Sequence, residues 1–187
     1  MISEEPGGFH SSVVHTPVTD PLFGEMEIRL DHAGGTLRVS GGQLPTVEIR
    51  RSPDTEVATH VPIGMRDPGR LTLLVDGVEE TLRPAKGFLS RRSYRVEAVS
   101  ATRERRYVLV PDSTDTSRLL RDKRRLGVFT STGDGNVSAE WENGEGRSTT
   151  APEPYDAAVG YALAAAYGTG AEPMWHEALD AVTELWP

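Results

Sequence analysis

The chain of 187 residues contains no cysteine. Disulfides, thiolate metal sites and a cysteine nucleophile are therefore excluded, and packing alone must hold the fold. Aromatic residues are scarce at 6%, and lysine occurs only as Lys86 and Lys123, every other basic residue being arginine. No apolar run approaches the roughly 20 residues that a membrane-spanning helix needs. The N-terminus, MISEEPGG, carries acids where a secretory signal has a basic start and an apolar core. A soluble cytoplasmic protein is the expectation.

Chemical signatures are missing as well. There is no GxSxG, P-loop or GxGxxG sequence. His10, His15, His32, His60 and His176 form no HxH or HExxH pair; His176-Glu177 begins the latter, but Asp180 stands where its second histidine belongs. Asp134 in GDGN lacks the spacing and closing glutamate of a calcium loop. No catalytic residue, metal site or cofactor is assigned, and a non-enzymatic protein is favoured over an enzyme with an unrecognised site.

What the chain does contain is Tyr155 to Tyr167, YDAAVGYALAAAY, the one long stretch that is apolar on every side. A helix with a wet face shows apolar residues every three or four positions, whereas here they run all the way round. At about 1.5 Å per residue the segment is about 20 Å long, too short for the roughly 30 Å core of a bilayer. Protein must enclose it. Its small residues suit a narrow enclosure, and the hydroxyls of Tyr155, Tyr161 and Tyr167 require partners or access to its mouths.

The segments before this helix read as strands. Met26, Ile28 and Leu30 alternate with Glu25, Glu27 and Arg29, and the same period of two recurs over 36–40 and 46–51. Val57–Ile63 is a weaker strand broken by Pro62. Asp76-Gly77 between LTLLV and VEETLRP predicts a type I′ hairpin. SYRVEAV, RRYVLVP, RLLRD, RLGVFTS and NVSAEWE follow. About ten consecutive strands without an intervening helix predict an antiparallel meander that closes into a barrel or sandwich. Residues 1–22 predict a flexible arm in which Val13, Val14 and Val18 can dock as an edge strand. Residues 23–187 predict a single mainly β domain with the central helix 155–167. Trp175, Leu179, Val182 and Trp186 place a second, amphipathic helix over 173–186, on the barrel surface or across a mouth.

The net charge of −8 is unevenly spread. Residues 1–82 hold 6 basic and 13 acidic residues, 83–125 hold 13 and 5, and 126–187 hold 1 and 10. Outward-facing arginines and pairing with the acidic flanks account for such a block without a binding role. The functional reading is that Arg91, Arg92, Lys123, Arg124 and Arg125, all at predicted turns, converge into an anion-binding surface. An anionic lipid or a protein is the expected kind of partner. The acidic chain as a whole argues against nucleic acid.

GFLSRRSYRVEA (87–98), RRYVLVPDS (105–113), LLRDKRRLGVF (119–129) and AVGYALAAAYGTG (158–170) together resemble the superfamily of the tubby C-terminal domain, the LURP-one-related proteins and the phospholipid scramblases, here as a bacterial member. The resemblance covers roughly residues 25–170. It implies a closed barrel around a hydrophobic helix and, from tubby domains, phosphoinositide binding through basic residues, carried onto the basic block. The chain departs from the scramblases in lacking both their palmitoylated cysteine cluster and their calcium-loop motif.

Overall fold

A computed structural model describes residues 13–55, 63–87, 90–113, 115–131, 135–142 and 151–168. The alternation read from the sequence becomes eleven strands: β1 (Val14–Asp20), β2 (Gly24–Asp31), β3 (Thr36–Ser40), β4 (Val47–Arg51), β5 (Leu71–Val75), β6 (Val78–Pro84), β7 (Val96–Ser100), β8 (Arg105–Pro111), β9 (Thr116–Arg121), β10 (Arg124–Ser131) and β11 (Val137–Trp141). Each pairs antiparallel with the next, in chain order, as one sheet. Asp76 (φ 48°) and Gly77 (φ 80°) form the expected type I′ turn, and Asp122 (φ 50°) with Lys123 (φ 70°) forms another.

The inward positions Met26, Ile28, Leu30, Leu37, Val39, Val47, Ile49 and Leu73 are buried. They surround the helix α1 (Pro154–Tyr167), of which every residue from Tyr155 to Tyr167 is buried. Complete enclosure follows from a helix that has no polar face to turn outward. The helix therefore runs inside the barrel. At its start Asp156 accepts the Glu153 backbone N–H at 2.7 Å, which ties down the turn that enters the barrel.

Closure is by side chains along one seam. No ladder of backbone hydrogen bonds joins β1 to β11, and Pro17, without an N–H, marks β1 as an edge. The buried Asp20 bridges the gap. Its carboxylate accepts the Trp141 indole N–H (2.8 Å), the Tyr161 hydroxyl (2.7 Å) and the backbone N–H groups of Leu22 and Phe23 (2.8 and 3.0 Å). Four donors compensate for burying that charge.

The structure sharpens two local expectations. The arm expected over 1–22 contains β1, so its docking option is realised from Val14. SYRVEAV is a strand only from Val96, because Arg91–Tyr94 forms a 3-10 turn that lays the Tyr94 ring over Gly87 and beneath the Arg66 guanidinium, 5.0 Å from its centroid. The strand expected over Val57–Ile63 falls mostly outside the described residues; Ile63 and Gly64 donate their N–H groups to the Ala166 carbonyl (3.2 and 2.8 Å) and so cap the far end of α1. The amphipathic helix expected over 173–186 lies outside the described residues. Among the described residues no helix is long and apolar enough to cross a membrane.

Enclosure reverses the usual effect of one substitution. In an exposed helix Gly→Ala stabilises by up to about 1 kcal/mol. At Gly160 a Cβ would stand 2.5 Å from Phe129 Cζ and 2.8 Å from Leu119 Cδ2, so Gly160→Ala is expected to cost about 1–3 kcal/mol. Urea unfolding measures it, and a stabilised variant would mean that the helix is not packed this way.

Candidate functional site

The turns that follow β1, β3, β5, β7 and β9 share one mouth of the barrel with the N-terminus of α1, and there the basic block meets Glu153 and Asp156. Two inward-phased residues organise it. Arg121 ends β9 in the same phase as Ser117 and Leu119, so its side chain enters the core and is only 6% exposed. Asp156 is the one charged residue of the enclosed helix and is fully buried. The two meet directly, and Tyr107 of β8 donates its hydroxyl to the same carboxylate at 2.7 Å. Burial and the neighbouring Asp156 raise the Tyr107 pKa well above the usual tyrosine range.

Glu153 forms an outer layer. Its carboxylate takes a bidentate pair of bonds from Arg105 (2.8 and 3.0 Å) and one from Arg121 (3.2 Å), with its side chain 40% exposed. The Arg105 guanidinium hydrogen-bonded to it, helped by the adjacent Arg121 and by Arg103 at longer range, holds Glu153 below the usual carboxylate value. Beside it a cavity of about 400 Å³ is lined by Arg105, Arg121, Asp122, Arg124 and Glu153. Arg124 stands directly across the β9–β10 ladder from Arg121, so the two share a face.

Next to this lies a second buried carboxylate. Glu80 accepts the Ser100 and Thr102 hydroxyls (2.9 and 3.1 Å), the Ala101 N–H (2.8 Å) and, at 3.4 Å, the Tyr155 hydroxyl. The Arg103 guanidinium sits 4.4 Å above the centre of the Tyr155 ring. Each of these interior acids thus receives a tyrosine: Asp156 from Tyr107, Glu80 from Tyr155, Asp20 from Tyr161. Among the described residues no group of three metal-type side chains comes together.

The five cations singled out by sequence are divided between the two ends of the barrel. Lys123, Arg124 and Arg125 lie at the helix-entry mouth, with Arg125 paired to Glu142 at 2.8 Å. Arg91 and Arg92 belong to the β6–β7 connection at the opposite end, where Arg92 faces Asp112 at 3.8 Å. The length of β9, six residues and so about 20 Å, separates the groups. A single pocket of all five does not form, because β8 and β9 carry the two turns in opposite directions. Arg103, Arg105, Arg121 and Glu153 take part instead. The inward phase of the second arginine in RLLRD is the signal that could have found Arg121, and the lone acid in an otherwise apolar helix the one that could have found its partner Asp156. Comparison with family models, curated proteins and solved structures finds no match.

Breaking the buried pair by Arg121→Ala is expected to cost about 3–5 kcal/mol in urea unfolding, since Asp156 would be left without its cation. Tyr107 and Tyr161 are both raised above their ordinary value near 10, chiefly by burial. Their contribution is complete below that value and is lost as pH rises toward the folded-state pKa, so stability is expected to fall above about pH 10. Tyr161→Phe should flatten that alkaline decline in urea midpoints measured across the range.

Proposed function

We propose that the chain is a non-enzymatic binding or scaffold module with a tubby/LURP-one-like barrel. The observation that carries this reading is the filled interior: α1 occupies the space in which a barrel would hold a substrate, and its residues 155–167 are all buried. The interior acids Asp20, Glu80 and Asp156 serve strand closure and helix anchoring. Function then belongs to the outer surface and the mouths. Glu80, Ser100 and Tyr155 are the side-chain types an enzyme would use, and a cavity of about 380 Å³ reaches Tyr155. Turnover of a carboxyl or phosphate ester that is lost in a folded Ser100→Ala variant would overturn the non-enzymatic reading.

A second reading is favoured by the arginines of the helix-entry mouth: this face binds an anionic group, as a phosphoinositide-like lipid at a membrane surface or as another anion. Lys123 projects from the tip of the β9–β10 turn, and Arg124 lines the cavity with Arg105 and Arg121. Flotation with phosphatidylcholine vesicles, with and without a phosphoinositide, tests the lipid form. The wild-type chain is expected to float only with the anionic vesicles, and the Lys123→Ala, Arg124→Ala, Arg125→Ala triple variant to lose most of that binding. Equal flotation of the two would remove the basic turn from the site.

A further inference from the structure

We infer that the carboxylate of Glu153 is a built-in occupant of an anion site, and that a hydrophilic phosphoryl group binds there by taking Arg105 from it. The inference rests on the anion-binding reading of this mouth and adds the ligand chemistry and a restraint on the site.

The cavity lining contains three guanidinium groups, two carboxylates and no apolar side chain. An acyl chain has nothing to lie against there, whereas a phosphoryl group finds planar donors suited to bidentate contact. At about 400 Å³ the space falls within the roughly 300–1,000 Å³ of ligand sites.

The two carboxylates that hold these arginines differ in how firmly they are placed. Asp156 is fully buried and accepts from Tyr107, Arg121 and the Glu153 backbone N–H. Glu153 accepts from the two arginines and, as one half of a capping box, from the Asp156 backbone N–H, and its side chain is 40% exposed. The other half of that box, the backbone N–H of Glu153 donating to the buried Asp156 carboxylate, does not depend on the Glu153 side chain. When the Glu153 side chain swings into water, that half still ties down the start of α1.

Charge counting gives the restraint its sign. The cations Arg105, Arg121 and Arg124 face the anions Asp156, Glu153 and Asp122, so the site is neutral with Glu153 in place and carries one positive charge without it. Asp122 is committed to the turn, accepting the Arg106 N–H at 2.9 Å. Arg103, near enough to act on Glu153, and Lys123 at the turn tip add positive charge around the rim, against the exposed Glu104. Glu153 is the acid whose withdrawal turns a neutral cluster into a receptor for a dianion. An exposed ion pair of this kind is weak, and a phosphoryl group offers Arg105 a stronger partner.

Calorimetric titration of the full chain with inorganic phosphate, at low and fixed salt, tests this. Glu153→Gln is expected to bind phosphate about tenfold more tightly than wild type, on the scale of one charge-assisted hydrogen-bonded contact. Arg124→Ala, which removes a lining cation but touches neither Asp156 nor the helix start, is expected to abolish the gain when combined with Glu153→Gln. Melting curves confirm that each variant is folded. Equal affinity of wild type and Glu153→Gln, both lost with Arg124→Ala, would leave the site standing and overturn the role of Glu153. Folded Glu153→Gln that takes up no phosphate, or binding that survives Arg124→Ala, would overturn the site itself. Soluble inositol phosphate and phosphoinositide vesicles then separate the sources: tighter binding by Glu153→Gln to the soluble compound marks a free phosphoryl ligand, and a gain confined to vesicles marks a lipid headgroup.

Discussion

A helix without a polar face, carrying one charged residue, sets the terms for the rest of the molecule. Burying residues 155–167 removes apolar surface from water on every side, a gain of the kind that dominates folding. It is available only if the surrounding wall is nearly continuous. It also forces Asp156 into the interior, where an ionised carboxylate must be compensated. The inward turn of Arg121 at the end of β9, the Tyr107 hydroxyl and the ordered helix start all answer that single demand.

The same logic explains how a meander becomes a barrel without its last ladder. β1 and β11 are joined by Asp20, which holds a β11 tryptophan and a tyrosine of the helix at once. Core and wall are therefore coupled through polar atoms as well as packing. Phe129 and Trp141 contact edge to face, 5.4 Å between centroids, as do Phe129 and Tyr161 at 5.3 Å, so aromatic packing runs from β11 to the helix beside that latch. The charged layer at the helix-entry mouth, where Arg105 and Glu153 remain partly exposed, is where the fold leaves polar groups within reach of a ligand.

Much of the architecture was legible because it depends on local pattern. Alternation in EMEIRL and NVSAEWE, the Asp76-Gly77 turn and the all-round apolar character of 155–167 each point one way under short-range rules. Local rules failed at SYRVEAV, where packing of Tyr94 between Gly87 and Arg66 outweighs the alternation. The candidate site was legible only in part. Arg124 and Lys123 were visible as a basic turn, but Arg91 and Arg92 lie at the other end of the barrel, because proximity in sequence says nothing of which mouth a turn occupies until the strands are counted.

By itself, then, the sequence determined that a helix must be enclosed and that short antiparallel strands enclose it. Periodicity suffices for each. Only the tertiary structure decided that Arg121 compensates the buried Asp156, that Asp20 closes the seam, and that Arg105, Arg121 and Arg124 gather around Glu153. Those pairings join residues some 30 to 140 positions apart, and they depend on strand number, register and barrel closure, which no local pattern carries.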